Sequence, residues 1–112
     1  HQDIRGEIRR FEIGKAKFNV LTTKKGALRG GEYHKTLTQF NIILKGKFEV
    51  TLRQKSQDII LKKSANELFI IPPDTPHLFR ALADTVMIEW WDGAFEVGYY
   101  APYRKFVENQ FK

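Results

Sequence analysis

Apolar and polar residues alternate along most of the chain, which is the pattern of β-strands with one buried face. The clearest case is Lys47–Arg53, where Phe48, Val50 and Leu52 are predicted to point inward and the residues between them to face solvent. Thr38–Lys45 is also apolar at consecutive positions, so we expect that strand to be covered on both faces. The pattern predicts a protein built mainly of strands.

Short strands of this kind recur at regular intervals. Further strands are predicted at Lys17–Thr23, Asp58–Leu61, Glu67–Ile71, His77–Ala83 and Thr85–Trp91. Lys24–Gly31 is predicted to be a turn because it holds three glycines in eight residues, and a proline-rich connection follows at residues 72–76. Only the residues after Pro102 show helical spacing, at Tyr103, Phe106, Val107, Gln110 and Phe111. This order of elements indicates an all-β jelly-roll barrel with a short C-terminal helix.

Composition narrows the class of ligand. The length fits a single domain spanning residues 1–112, and no apolar stretch is long enough to cross a membrane. The chain has no cysteine, so thiolate metal sites are excluded, and we expect a cytoplasmic protein. The net charge is +6, with +9 in residues 1–63 and −3 in residues 64–112. No nucleic-acid-binding motif accompanies this excess, so a small anionic ligand is the expected partner rather than nucleic acid or a membrane.

Two segments carry a distinctive spacing. In residues 26–46, five residues separate Gly26 from Glu32-x-His34, four more lead to Gln39, and six more lead to Gly46. In residues 66–81, five residues separate Asn66 from Pro72-Pro73-Asp74, and two more lead to His77. Together the segments resemble the two motifs of the cupin superfamily. Glu32 and Gln39 replace a histidine and a glutamate, and Asn66 and Asp74 replace glycines, whose turn conformations they tolerate.

The cupin resemblance implies a double-stranded β-helix with a site inside the barrel. It also implies a candidate metal set, Glu32, His34, Gln39 and His77, since cupins that bind metal usually place three histidines and one glutamate at these positions. Two imidazoles, one carboxylate and one amide oxygen would suit one divalent Mn, Fe, Co, Ni or Zn ion.

The strand period of two divides the residues of the first motif between two faces. If Glu32 and His34 face the interior, then Gln39, Asn41 and Ile43 share that direction on the next strand. Phe40, Ile42 and Leu44 would then form an apolar face on the outside. We expect a homodimer that covers this face, as is common among cupins.

Leu28–Lys35 is also similar to a segment of the cupin-type nucleotide-sugar 3,5-epimerases and 3,4-ketoisomerases. That resemblance implies proton transfer beside a keto group without a metal. It assigns phosphate binding to Arg29, the position of the catalytic base to Glu32, and further site positions to His34 and Lys35. Asn41 is a further candidate for substrate binding, and His77 would orient or polarise the substrate. Further candidates are a proton donor among Tyr99, Tyr100 and Tyr103 and a stacking residue in Trp90 or Trp91.

Three functions remain open from the sequence. The first is an enzyme that acts on a sugar or nucleotide sugar by proton transfer, with Glu32, His34 and His77 as catalytic residues. The second is a metal-dependent cupin enzyme of unspecified reaction. The third is a binding module for a small anionic ligand, without catalysis.

Overall fold

A computed structural model describes all residues, 1–112, as two facing antiparallel sheets and one helix. The six-stranded sheet has the strand order β1-β2-β3-β10-β5-β8, and the five-stranded sheet has the order β11-β4-β9-β6-β7. The elements are β1 (Gln2–Asp3), β2 (Gly6–Ile13), β3 (Ala16–Thr23), β4 (Leu28–Tyr33), β5 (Gln39–Lys45), β6 (Lys47–Gln54), β7 (Gln57–Ser64), β8 (Leu68–Ile71), β9 (His77–Ala81), β10 (Thr85–Trp91), β11 (Gly98–Tyr99) and α1 (Ala101–Asn109). The predicted all-β jelly roll of the cupin type, with its C-terminal helix, is confirmed.

The hydrophobic core lies between the two sheets and borders the motif residues, since Ile71 pairs with Gln39 and Leu52 pairs with His77 on neighbouring strands. The predicted inward residues of β6, Phe48, Val50 and Leu52, belong to one buried cluster with Ile43, Phe69, Ile71, Phe79, Ala81 and Met87. Burying a large apolar side chain contributes about 1.5–3 kcal/mol, so this cluster is the main stabilising element of the sheet pair. The polar side chains of the two motifs occupy the remaining part of the space between the sheets.

The sequence-based prediction of a turn over Lys24–Gly31 is wrong in its second half. The turn ends at Ala27, and Leu28–Tyr33 forms β4, paired with β9. Gly30 and Gly31 lie at a bulge in this strand, with φ values of +101° and +70°. A Cβ atom at Gly30 would lie 2.8 Å from the carbonyl oxygen of His77, and one at Gly31 would lie 2.6 Å from the Cα atom of Arg104. The glycines therefore allow β9 and α1 to approach the backbone of β4 closely.

Of the N-terminal hairpin, the sequence predicted only the second strand, as Lys17–Thr23, and not the first. Its β2 strand pairs with β3 from Gly6↔Thr23 to Ile13↔Ala16. In β2, Ile8, Arg10 and Glu12 lie on one face and Arg9, Phe11 and Ile13 on the other, and all residues from Arg9 to Ile13 are exposed. Each face mixes apolar and charged residues, so the period-two pattern indicated no buried face.

The second motif folds as the resemblance implied. Asn66 and Asp74 have φ values of +71° and +56°, the left-handed conformation that glycine adopts in such turns. Asp74 N–H donates to the carbonyl of His34 at 2.7 Å, so this turn is joined to the first motif. The turn therefore helps to fix where His77 begins β9.

Helix α1 covers the outside of β4 near the site. Arg104 donates to the carbonyl of Gly30 at 2.9 Å, and Gln110 exchanges hydrogen bonds with the backbone of Leu28. Tyr103 and Val107 form the buried face of the helix. This is the chain's one helix, and it is too short to pass through a lipid bilayer.

Candidate functional site

A cavity of about 1150 Å³ opens between the sheets at the polar end of the interior. Five of the predicted site residues line it: Arg29, Glu32, His34, Gln39 and His77. The structure therefore brings together both motifs and Arg29, the residue predicted to bind phosphate. Lys35 is exposed and does not line the cavity, and Asn41 is fully buried behind the cavity wall.

The bulge in β4 explains how Arg29 and Glu32 reach the same cavity. Residues three apart on a regular strand point to opposite faces. Here the register shifts between Gly30 and Glu32, so that Arg29 pairs with Phe79 whereas Glu32 pairs with His77. The extra residue turns both side chains inward.

Arg29 is held by uncharged partners only. Its Nε donates to the Thr23 hydroxyl at 2.8 Å, and one terminal nitrogen donates to the carbonyl of Thr22 at 3.0 Å. Burial lowers the pKa of Arg29 to about 10, and repulsion from Arg5 acts in the same direction. No carboxylate pairs with Arg29. The guanidinium is thus fixed in place, and its charge is available to an anionic ligand.

Each ring nitrogen of His34 has a hydrogen-bonding neighbour in the protein. Its Nδ1 donates to the carbonyl of Glu96 at 2.7 Å, and its Nε2 lies 3.1 Å from Oε1 of Gln39. Gln39 donates in turn to Asn41 at 2.8 Å, and Asn41 donates to the carbonyl of Phe69. Asn41 therefore positions Gln39, and through it His34, rather than facing the cavity.

His77 is a neutral imidazole with one free nitrogen. Its Nδ1 donates to the carbonyl of Thr75 at 3.0 Å, which leaves Nε2 with no hydrogen-bond partner in the protein. Burial lowers the pKa of His77 to about 4, and the nearby His34 acts in the same direction. The two imidazole rings lie 5.5 Å apart between centroids. His77 can therefore accept a hydrogen bond from a ligand hydroxyl at neutral pH.

Four carboxyl groups line the cavity, and the sequence analysis identified only Glu32 among them; the others are Glu12, Glu89 and Asp92. Burial raises the pKa of Glu32, against the opposing effect of His34. Burial also raises the pKa of Glu89, on β10, to about 7, and the charge of Glu32 adds to this shift. Within β10, Glu89 shares its face with Met87 and Trp91, so a polar residue at a core register was the signal that could have found it.

An aromatic wall borders the histidines. Trp91 lies edge-on to His34 at 5.3 Å and to Phe95 at 4.8 Å. The sequence placed Trp90 and Trp91 on opposite faces; Trp91 lines the cavity, whereas Trp90 stacks on Phe40 outside. Trp91 Nε1 is buried without a hydrogen-bond partner, which costs about 1–3 kcal/mol, so this wall is not optimised for stability alone.

The three candidate tyrosines have different positions. Tyr99 lines the cavity, half-exposed, with the guanidinium of Arg104 4.6 Å above its ring. Tyr103 is buried, and its hydroxyl donates to Asp58, which together with burial raises its pKa. Neither Tyr100 nor Tyr103 lines the cavity. Of the three, only Tyr99 can meet a ligand there.

The mouth of the cavity is basic. The hairpin of β2 and β3 contributes Arg10, Lys15 and Lys17, with Glu12 among them. None of these three cations forms a salt bridge within the chain. Part of the basic excess in the N-terminal half therefore surrounds the entrance, where it attracts anions.

The predicted metal ligands do not form a metal site. Glu32, His34, Gln39 and His77 all line the cavity, but both ring nitrogens of His34 are engaged, one of them with the Gln39 oxygen that would bind the ion. No three His, Asp or Glu side chains are arranged to hold a metal. The donor set present does not fit the divalent ion that the motif spacing suggested.

The fold and the two joined motifs define this protein as a cupin. Residues 4–110 match the family described as "FdtA: WxcM-like, C-terminal", and the chain belongs to this family. A comparison with curated proteins gave no significant match.

Solved structures share the fold. The capsular polysaccharide assembling protein CapF from Staphylococcus aureus has 25% sequence identity and a TM-score of 0.69, with 84% of this chain aligned. KdgF from Halomonas sp. has 23% identity and a TM-score of 0.65, with 85% of this chain and 86% of KdgF aligned. ChmJ, a 3'-monoepimerase from Streptomyces bikiniensis solved with dTDP, has 18% identity and a TM-score of 0.66, with 75% and 50% aligned. This chain spans only 28% to 35% of the CapF chains.

Proposed function

We propose that this protein binds a nucleoside diphosphate sugar in the cavity and transfers a proton at a carbon next to a ketone of the sugar. The observation that carries the proposal is the convergence of a fixed guanidinium, Arg29, with a buried carboxyl, Glu32, and two histidines on one cavity. The family match and the dTDP bound to ChmJ support a nucleotide-sugar ligand. We treat residues 1–112 as one cupin unit.

The cavity suits the size and charge of such a ligand. Ligand sites for drug-sized molecules enclose roughly 300–1,000 Å³, and this cavity, at about 1150 Å³, is slightly larger than that range. Arg29 would contact the diphosphate, with the unpaired cations of the mouth adding long-range attraction. The Trp91–Phe95 wall offers a surface for the base or the sugar ring to stack on.

Glu32 is the best candidate for the base. Both nitrogens of His34 are engaged, so His34 is a positioning residue and a source of local polarity rather than the proton acceptor. A carboxylate whose pKa is raised by burial takes a proton from carbon more readily than one in water. His77 would accept a hydrogen bond from a sugar hydroxyl through its free Nε2 and so orient the ring.

We also propose that the protein is a homodimer. The outer apolar face of the six-stranded sheet comprises Phe40, Ile42, Leu44, Leu68, Ile70, Ile88 and Trp90. Leu44, Leu68 and Ile70 are each about half-exposed in the single chain. A second copy packed on this face would remove it from water.

The decisive experiment incubates the protein in D2O with a dTDP-4-ketohexose and follows deuterium entry next to the ketone by mass spectrometry. We expect exchange with the wild type and a loss of about 100-fold or more in Glu32→Gln, the usual contribution of a general base. Glu49→Gln is the matched control, because Glu49 lies on the outer face of β6 and pairs with Arg80. Calorimetric binding of dTDP without any exchange would instead establish a binding module and remove the catalytic proposal.

A further inference from the structure

Two carboxyl groups face the cavity from opposite walls. Glu32 lies on β4 in the five-stranded sheet, and Glu89 lies on β10 in the six-stranded sheet. A ligand held between the sheets would have one carboxyl on each side. The function proposed above uses only Glu32.

Glu89 has none of the partners that would give it a structural role. No Lys, Arg or His forms a salt bridge with it, and its only hydrogen bond comes from Asn19 Nδ2, 3.0 Å from Oε2. Its cross-strand neighbours on β3 and β5 are Asn19 and Asn41, both neutral. The second oxygen is left without a partner in the protein.

Burial raises the pKa of Glu89 to about 7, so a large fraction of the carboxyl groups is protonated at neutral pH. Arg10 on β2 and Arg29 on β4 favour its ionised form, whereas Glu32 on β4 and burial oppose it more strongly. A buried carboxyl without a cation costs stability, so its presence on a cavity wall points to chemistry. A carboxylic acid in this position can give a proton to a bound ligand.

We propose that Glu89 is a second catalytic residue, which returns a proton to the substrate from the wall opposite Glu32. The proposal rests on the function proposed above. The Glu32 carboxylate takes the proton from the carbon beside the ketone, and the electrons of that C–H bond form the enolate. The Glu89 acid then protonates the same carbon from the other face, which inverts its configuration. Glu32 is left protonated and Glu89 ionised, and exchange with solvent restores both. Protonation of the same carbon from the opposite face would make the reaction an epimerisation.

The other candidate donors fit this role less well. Tyr103 and Tyr100 do not line the cavity, and the Tyr103 hydroxyl already donates to Asp58. Tyr99 lines the cavity from β11, which is in the same five-stranded sheet as Glu32. Glu12 and Asp92 also line the cavity outside the five-stranded sheet, but both are exposed, whereas Glu89 lies opposite Glu32 and burial raises its pKa to about 7.

The test separates proton removal from proton return. In D2O with a dTDP-4-ketohexose, the wild type should give an epimer that carries deuterium at the inverted carbon. Glu89→Gln keeps the shape and the hydrogen bond with Asn19 but has no proton to give. We expect it to form epimer about 100-fold more slowly, while deuterium still enters the recovered substrate within about threefold of the wild-type rate through Glu32. Glu89→Asp, which restores a carboxylic acid, should recover part of the epimer formation.

Each other outcome is informative. Glu89→Gln could lose epimer formation and deuterium entry equally while it still melts normally and binds dTDP. That result would show a structural role for Glu89 and overturn the inference. Unchanged epimer formation by Glu89→Gln would also overturn the inference. So would a wild-type protein that exchanges deuterium and forms a position isomer but no epimer. These results leave the proposed function standing. Absence of any exchange in the wild type would remove both proposals together.

Discussion

Phe40 and Trp90 stack on the outside of the six-stranded sheet, with ring centroids 5.5 Å apart and ring planes inclined by only 11°. They are cross-strand partners on β5 and β10, and Ile42 and Ile88 form the next outward pair along the same strands. The opposite faces of these strands carry Gln39, Asn41 and Glu89 toward the interior. The strands that build the site thus also build the proposed dimer surface.

The first prediction concerns this outer face. If the protein is the proposed homodimer, Phe40→Glu combined with Ile42→Lys should convert it to a monomer or an aggregate, because two charges would have to be buried at the interface. Light scattering measures the mass directly. The control is Ile60→Lys on β7, which is similarly exposed but lies on the other sheet and should leave the mass unchanged. A dimer of unchanged mass in the double variant would rule out this face.

The second prediction concerns Arg29. Arg29→Met keeps much of the buried volume but removes the charge and both hydrogen bonds to the β3 residues. We expect the affinity for dTDP to fall by about tenfold or more, or about 1.4 kcal/mol, as measured by calorimetry. Arg9→Met is the control, since Arg9 is exposed on the outer side of the hairpin. Wild-type affinity in a folded Arg29→Met protein would remove Arg29 from the ligand site.

The parts of the fold that alternation determines were predictable. Phe48, Val50 and Leu52 are buried as the pattern of β6 indicated, and Gln39, Asn41 and Ile43 face inward as the motif implied. The left-handed turns at Asn66 and Asp74 followed from the chemistry of those two residues. In each case the local sequence, through its alternation, its motif spacing or its residue type, was enough to indicate where the side chain lies or which turn the backbone forms.

The rest depended on contacts between segments distant in sequence. The bulge at Gly30 and Gly31 is needed because β9 and α1 approach β4 there, and neither approach is visible in the local sequence. Glu89 looked like one polar position in an apolar strand, and its importance arises only from Glu32 across the cavity. The ring orientation of His34 likewise depends on the carbonyl of Glu96, 62 residues away, and its Nε2 meets the Gln39 oxygen of the predicted metal set.

The third prediction is a pH-dependent stability difference at Glu89. Its folded-state pKa is about 7, above the ordinary 4.5, so the protonated folded protein has full stability below pH 4.5 and loses it as the pH rises toward 7. Glu89→Gln cannot ionise and should escape this loss. Thermal or urea melts should therefore show Glu89→Gln gaining on the wild type by about 2–3 kcal/mol across that interval.

The matched control is Glu12→Gln, an exposed carboxyl on the hairpin. Its stability difference from the wild type should not change with pH in the same way. A constant difference between Glu89→Gln and the wild type from pH 4.5 to 7 would show that the Glu89 carboxyl is ionised as in water, contrary to its burial.

The fourth prediction concerns His77 and acid. The folded-state pKa of His77 is about 4, below its ordinary 6.5, so its contribution is fully present above pH 6.5 and is lost as the pH falls toward 4. His77→Gln can still donate to the Thr75 carbonyl but cannot become charged, so its stability should fall about 2–3 kcal/mol less than that of the wild type over this range.

Urea unfolding at several pH values measures the difference, and subtracting the wild-type curve cancels the opposite trend from Glu89. His1→Gln, at an exposed histidine beside Asp3, should differ from the wild type by less than about 1 kcal/mol over this range, as expected for an exposed ion pair. Parallel curves for His77→Gln and the wild type would mean that His77 takes up its proton in the folded protein at the ordinary pH of about 6.5, contrary to its burial.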